Sequence, residues 1–208
     1  MTRFFINERE VNIPINVSSL DQILQHAEDF HLPPNSVIRQ INVDGLPLML
    51  DFPQNSGEIF KQTENRDKIE IFTGTLIEIA NDSIREALAY LQRIEELTPS
   101  LATGFQISPG PETFENLRQL YEGFYWMSLL LDKLSSNFHI SLEVNFIQGI
   151  SIQNHLKKFI SILKQLIESQ EKGDFFLISD LLEYEILPMV PAWKEIFNFI
   201  SQKANMAQ

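Results

Sequence analysis

The sequence predicts an α+β protein in which a small module of strands around one helix precedes an antiparallel four-helix bundle. Up to position 74, apolar residues recur in short runs with the alternation of strands, whereas from position 75 onward they recur every three or four residues, as in helices. Four amphipathic helices can bury their apolar stripes most simply against one another. We therefore expect two domains, residues 1–74 and 75–208.

Strand-like runs flank one helical stripe in the N-terminal module. Residues 4–15 alternate apolar and polar side chains around a polar turn, which is typical of a hairpin. The pair Ser18-Ser19 offers an N-cap for a helix of about 12 residues that ends before Pro33-Pro34. Further on, Asp44-Gly45 is a dipeptide that permits the positive φ angles of a tight hairpin turn. Residues 68–72 are predicted to form the last strand.

The predicted order β-β-α-β-β-β resembles the β-grasp, or ubiquitin-like, arrangement, in which a sheet wraps a single helix. The resemblance covers residues 2–73 and rests on element order alone. Small sulfur carriers and protein modifiers of this fold act through a free carboxyl-terminal Gly-Gly. Here the last strand ends in Phe72-Thr73-Gly74 and the chain runs straight on. We therefore do not expect a conjugation role.

Four helices are predicted after Gly74, spanning about 75–97, 112–136, 151–171 and 173–203. The connection 98–111 is rich in proline and glycine, and it is predicted to be a loop that carries Phe105 and Ile107. The connection 139–149 alternates like a strand, although an extended crossover along the bundle would explain the same apolar residues.

Composition and charge exclude several classes of function. Sixteen basic against 28 acidic residues give a net charge of -12, which repels phosphate backbones and anionic lipid. The chain has no cysteine, which excludes disulfides, thiolate metal sites and a thiol nucleophile, and a reducing cytosol suits such a composition. The amino end lacks the apolar core of a signal peptide. We expect a cytoplasmic protein that binds neither nucleic acid nor membrane.

The fourth predicted helix carries acids in two different positions. At about 100° per residue, Asp180 and Glu183 point away from the apolar sector, whereas Glu185 lies at its flank and is a candidate for a partly buried acid. Such an acid could bind a ligand or act in catalysis, or it could form hydrogen bonds that steady the helix. Pro188 and Pro191 each leave a carbonyl without its helical donor, which predicts a bend between about 186 and 191.

The run Asp180-Leu-Leu-Glu-Tyr-Glu185, followed by Pro188, resembles the carboxyl-terminal helix of a family of uncharacterised bacterial proteins. The resemblance covers about the last 60 residues of the chain. It transfers no activity, but it implies that the protein keeps company with flagellar or secretion components.

We find no motif that predicts catalysis, a cofactor or a metal. Of the Glu-x-x-His pairs that build bundle metal sites, the chain has only Glu28 with His31, without a partner motif. Phosphate-binding glycine patterns and a nucleophile elbow are both absent from the sequence. We therefore name no catalytic residue, no cofactor and no metal ligand.

Aromatic residues near the middle of the second helix point instead to protein binding. Tyr125 and Trp126 fall off the centre of the apolar stripe, so this side is either covered within the chain or free to bind a partner. We expect a non-enzymatic adaptor or chaperone-like protein that binds another protein or itself, with Tyr125, Trp126, Phe105 and Ile107 as candidate contacts. A small-molecule-binding or enzymatic bundle that uses Glu185 and a homo-oligomeric structural protein are the alternatives.

Overall fold

The computed structural model describes residues 2–13, 20–33, 36–48 and 67–206, and the chain divides into two compact units, Met1–Ile79 and Ala80–Gln208. The predicted α+β class is confirmed: a small N-terminal sheet precedes a set of long helices. The elements described in the first unit are β1 (Arg3–Ile6), β2 (Arg9–Val11), α1 (Leu20–Phe30), β3 (Ser36–Val43), β4 (Leu46–Pro47) and β5 (Lys68–Thr75).

The five strands form one sheet in the order β2-β1-β5-β3-β4. β1 pairs in parallel with β5 and antiparallel with β2, and β3 pairs antiparallel with both β5 and β4. In this register Phe4 lies opposite Ile69, and Ile41 lies opposite Ile71. The two chain-distant strands β1 and β5 therefore meet at the centre of the sheet, where their isoleucines are buried.

The turn between β3 and β4 has the backbone conformation that its residues favour. Asp44 and Gly45 have φ angles of 51° and 82°, which confirms the predicted tight turn between β3 and β4. Asp44 also accepts hydrogen bonds through Oδ1 from the backbone N–H groups of Asp67 and Lys68, at 3.0 and 2.9 Å. Asn7, in the turn between β1 and β2, bonds through its amide to Thr73. Each turn is thus tied to the strand β5.

A separate core fills the space between α1 and the sheet. Its fully buried members are apolar side chains from the helix, the strands and the segment after β2: Ile6, Ile13, Ile23, Ala27, Ile41, Ile69 and Ile71. The predicted hairpin residue Ile15 and the predicted N-cap Ser18-Ser19 lie outside the described residues.

Strand β5 leads directly into α2 (Leu76–Ile107). Thr75 and Glu78 form a reciprocal cap, because the Thr75 hydroxyl accepts from the Glu78 N–H at 3.1 Å and the Glu78 carboxylate accepts from the Thr75 N–H at 2.8 Å. The cap lies where the apolar period of the sequence changes, at the junction of strand and helix.

The second unit contains the rest of α2 and the elements α3 (Pro111–Asn137), β6 (Phe146–Ile147), β7 (Ile150–Ser151), α4 (Ile152–Lys172), α5 (Phe175–Asp180), a π-helical segment (Leu181–Ile186) and α6 (Leu187–Met206). All the long helices contribute to one continuous core. Its large, fully buried side chains include Leu91, Phe105, Leu117, Met127, Leu131, Ile152, Phe159, Leu166 and Phe197.

The prediction of a loop at 98–111 was wrong, because α2 continues through Pro99 to Ile107. Nearby hydroxyl groups donate to backbone carbonyls: Thr98 bonds to the carbonyl of Ile94 at 2.6 Å, and Thr103 bonds to that of Pro99 at 2.9 Å. Leu101, Ala102 and Phe105 extend the buried stripe past the proline. Tertiary burial therefore overrides the local preference of proline and glycine to end the helix.

The segment 139–149 is mostly turn rather than strand. The chain reverses at His139, whose φ is 52°, and the buried Ile140 donates its N–H to the carbonyl of Ser135 at 2.8 Å. Only Phe146–Ile147 pairs with Ile150–Ser151 in a short hairpin with Gln148-Gly149 at its turn. Ser151 then caps α4 by accepting a hydrogen bond from the Asn154 N–H.

The predicted bend between about 186 and 191 is replaced by the π-helical segment, which ends at Ile186. The N–H of Leu187 donates to the carbonyl of Leu182, five residues back, just before Pro188. This wider turn accommodates a proline that has no N–H of its own and whose ring would crowd the carbonyl four residues earlier. The helical path continues through Pro191 to Met206.

Candidate functional site

Tyr125 and Trp126 are neighbours in sequence, but they lie on two different sides of α3. One step along an α-helix turns the side chain by about 100°. Trp126 is half-buried and meets the ring of Tyr90 on α2 edge to face, with the ring centroids 6.5 Å apart. Tyr125 is 67% exposed. The structure therefore separates the two aromatic residues that the sequence had grouped.

On the α2 side, Tyr90 sits in a notch of α3 formed by Gly123. A Cβ atom placed on Gly123 would lie 1.9 Å from Cζ of Tyr90, so the notch exists only because residue 123 has no side chain. The Tyr90 hydroxyl donates toward the carbonyls of Gln119 and Leu120, at 3.1 and 3.3 Å. Burial raises the pKa of this hydroxyl to about 12. Sequence reasoning missed this contact, although a glycine inside an apolar helix was a signal of it.

Beyond Tyr90, a groove of about 230 Å³ runs between α2 and α3. Apolar side chains and polar side chains both line it: Ile94, Leu97, Leu101 and Leu120 on the one hand, and Tyr90, Arg93, Thr98, Ser100, Asn116 and Gln119 on the other. Trp126 does not line the groove, but it contacts the ring of Tyr90.

On the opposite side, α3 contacts α4 through Phe124 and Phe159, whose ring centroids are 4.7 Å apart. α4 runs against α3, since it ends just before Phe175, and Phe175 contacts Phe114 near the start of α3. Antiparallel helices turn in opposite senses when viewed from one end. Tyr125 and Ile160, each one residue beyond a contacting ring, therefore turn to the same outer side of the pair.

A second apolar stripe follows this outer side of α4. Leu156, Ile160, Leu163 and Ile167 are spaced by four, three and four residues, and Ile160 and Ile167 are 42% and 46% exposed. Leu156 and Leu163 are half-buried against the core. We define the α3–α4 face as these four residues together with Tyr125.

Two lysines flank the α3–α4 face. Lys157 and Lys164 follow Leu156 and Leu163 in sequence, which places both at the same edge of the stripe. In the part of the chain that the structure describes, neither has a carboxylate within salt-bridge distance, whereas Lys158 of the same helix pairs with Glu185. Glu168 follows Ile167 at the same edge but pairs with Lys172, so among the described residues this edge carries two lysines without an ion pair and one paired acid.

Phe105 and Ile107 differ sharply in exposure. Phe105 is only 2% exposed, and its ring contacts those of Phe114 and Phe175 in the core. Ile107, the last residue of α2, is 80% exposed. Of this predicted pair, only Ile107 is available to a partner.

Glu185 lies at the surface of the π-helical segment. Its side chain is 41% exposed, and its carboxylate forms an ion pair with Nζ of Lys158 at 3.0 Å. It does not line the groove between α2 and α3. Tyr184 and Asp180 are exposed beside it. This ion pair links α4 to the π-helical segment, so the Glu185 carboxylate has a partner within the fold.

His26 of α1 and His31, which follows the end of α1, form a small cluster of rings with Phe30. His26 lies 5.4 Å from His31 and 4.8 Å from Phe30, measured between ring centroids. Among the described residues, no group of three or more potential ligands gathers around Glu28 and His31 or elsewhere. Within the same residues, no helix is both long enough and apolar enough to cross a membrane.

The described residues thus define an α+β protein whose helical unit has a groove on one side of α3 and a partly exposed apolar stripe on the other. The chain belongs to the family of the domain of unknown function DUF8042, whose model matches residues 82–196. That range includes both sides of α3 and the whole π-helical segment, so the resemblance of Asp180–Pro188 to a family without known activity is confirmed at this level. Comparisons with curated proteins and with solved structures found no match.

Proposed function

We propose that this protein is a non-enzymatic, chaperone-like adaptor that holds an amphipathic helix of a client protein on the α3–α4 face. The observation that carries the proposal is the apolar stripe of α4, in which Ile160 and Ile167 are exposed, beside the exposed ring of Tyr125. A helix of a monomeric unit has no structural need for a second stripe of this kind at its surface.

The spacing of the stripe suits a helix as the partner. Apolar residues that alternate between steps of four and three form the seam of two helices packed side by side. Leu156, Ile160, Leu163 and Ile167 follow that spacing over three turns of α4. Tyr125 supplies a large ring at the edge, and aromatic residues are frequent anchors of protein interfaces. The client helix would lay its own apolar stripe along this seam.

The charges at the edge define the polar part of the client helix. Lys157 and Lys164 favour acidic residues beside the client's apolar stripe, because charge complementarity steers encounter and fixes orientation. A client with basic residues at those positions would meet two unpaired cations. The proposed client is therefore an amphipathic helix with Asp or Glu along one edge.

We also infer the finer architecture. The N-terminal unit is a β-grasp module, for which the sheet order β2-β1-β5-β3-β4, the parallel central pair and the single packed helix are the support. The helical unit is a four-helix bundle of α2, α3, α4 and the α5–α6 path, supported by their common core. The resemblance of Asp180–Pro188 favours clients among flagellar or secretion components.

Photo-crosslinking in the native host tests the proposal. A photoreactive phenylalanine analogue at Tyr125 should capture a client peptide that is amphipathic and acid-edged. The same analogue at Tyr184, an equally exposed aromatic position on the π-helical segment, is the matched control. Ile160→Glu should reduce capture about tenfold or more without lowering the melting temperature, since Ile160 is exposed.

Three results would overturn this function. Equal capture from Tyr125 and Tyr184 would remove the specificity of the face. Capture that survives Ile160→Glu would remove the role of the stripe. Crosslinks only to other copies of this chain, together with a dimer in light scattering, would replace the adaptor with a homo-oligomer.

A further inference from the structure

We propose that the groove between α2 and α3 is a separate binding site for a small apolar carboxylate. This inference does not depend on the α3–α4 face, which lies on the other side of α3. It rests on the size of the groove, on the way Tyr90 is fixed at one end, and on the position of Arg93.

The groove has room for one compact apolar group. Its volume of about 230 Å³ is below the ~300–1,000 Å³ of sites for larger ligands, and above the ~150 Å³ of an apolar cavity that holds benzene. Ile94, Leu101 and Leu120 are buried and form its floor, while Leu97 is exposed at its edge. A single ring or short hydrocarbon chain fits these dimensions.

Tyr90 gives the groove a rigid end wall. Its ring is seated over Gly123, held by hydroxyl bonds to the backbone of α3, and packed edge to face against Phe124 and Trp126. A side chain fixed by this many contacts is in place before a ligand arrives. Such preorganisation lowers the entropic cost of binding.

Arg93 defines the polar end of the ligand. Its guanidinium lies over the Tyr90 ring at 5.6 Å from the centroid, and no carboxylate among the described residues forms a salt bridge with it. A planar guanidinium binds a carboxylate through two parallel hydrogen bonds. The amide of Asn116 is a further donor in the lining. An apolar floor with one unpaired guanidinium at its rim matches an apolar acid.

Isothermal titration of the full chain with phenylacetate tests the assignment, with phenylacetamide as the uncharged counterpart. We expect saturable binding of the acid and at least about tenfold weaker binding of the amide, the size of effect that one charge-assisted hydrogen bond produces. Arg93→Gln should weaken the binding of phenylacetate by a similar factor. Arg85→Gln is the matched control, since Arg85 lies on the same helix but is exposed and paired with Asp82.

Leu97→Trp provides an independent test, because a large side chain at this exposed edge fills the groove without disturbing the core. It should abolish binding of phenylacetate, whereas Ile160→Glu should leave it unchanged. The proposal would be overturned if the acid did not bind at millimolar concentration. Acid and amide binding equally, or full binding by Arg93→Gln or Leu97→Trp, would overturn it as well.

Discussion

The two sides of α3 differ in how closely they pack against the neighbouring helices. Toward α2, the Tyr90 ring packs directly on the backbone of α3 at Gly123, and Trp126 contacts the same ring. Toward α4, Phe124 packs on Phe159 but the next residue, Tyr125, stays exposed beside an apolar stripe. The first side is locked by a close contact, and the second is left open. The absence of a side chain at Gly123 is what permits the close contact on the first side.

Gly123→Ala should break the locked side and give the largest loss of stability. The new methyl group would lie within 2.0 Å of both Cζ and the hydroxyl of Tyr90, so the ring must leave its seat. Alanine favours the helix over glycine by up to about 1 kcal/mol, but displacing the ring and breaking its hydrogen bonds costs more free energy. We expect a net loss of about 1–3 kcal/mol in the free energy of unfolding, measured by urea denaturation.

The double variant Tyr90→Ala with Gly123→Ala separates the clash from other effects. In the Tyr90→Ala background the methyl group meets no ring, so Gly123→Ala should be neutral or stabilising. An equal loss from Gly123→Ala in both backgrounds would contradict the proposed lock.

Tyr90→Phe tests the hydrogen bonds of the lock and their pH dependence. We expect a loss of about 1 kcal/mol near neutral pH, since the hydroxyl no longer reaches the α3 carbonyls. Burial raises the pKa of Tyr90 to about 12 in the folded protein, against about 10 when unfolded. The hydroxyl therefore stabilises the fold below pH 10, and this contribution is lost as the pH rises from 10 to 12.

Urea midpoints of the wild type and Tyr90→Phe at pH 8, 10 and 11.5 measure this dependence. The difference between the two proteins should be largest at pH 8 and shrink above pH 10. Burial also raises the pKa of Tyr121 to about 12, so a decline with pH persists in Tyr90→Phe. Tyr125→Phe, at an exposed hydroxyl, should change the midpoint little at pH 8. A constant difference across this pH range would show that the Tyr90 hydroxyl does not titrate as described.

Sequence periodicity was sufficient where local and tertiary preferences agree. The stripes of α3 and α4, the Asp44-Gly45 turn and the order of the N-terminal elements follow from patterns within a few residues. Periodicity failed at Pro99, and also near Pro188, where a π-helical segment replaces the predicted bend. The segment around Pro99 was predicted to be a loop. Hydrogen bonds from the hydroxyls of neighbouring residues and the burial of Phe105 instead stabilise a continuous helix.

The candidate sites were harder to predict for a related reason. Exposure depends on which neighbour covers a side chain, and that is a property of helix pairs rather than of one helix. Tyr125 and Trp126 have the same local signal, yet only Tyr90, more than 30 residues earlier in the chain, decides that Trp126 is covered. The sequence predicts that the helices bury their apolar stripes against one another, and the exposure of Ile160 and Ile167 on α4 does not follow from that prediction.

The smallest effect is expected at Glu185, which lies on neither side of α3. Glu185→Gln removes a charge that is 41% exposed and paired with Lys158, so the free energy of unfolding should fall by less than about 1 kcal/mol. Salt at 0.5 M or so should remove most of that difference, because exposed ion pairs are screened. Lys158→Gln should cost a similar amount, and the double variant should cost no more than either single change. If Glu185→Gln instead abolished phenylacetate binding or client capture while the fold persisted, Glu185 would be a functional acid, and the contrast between the two sides of α3 would no longer explain where this protein binds.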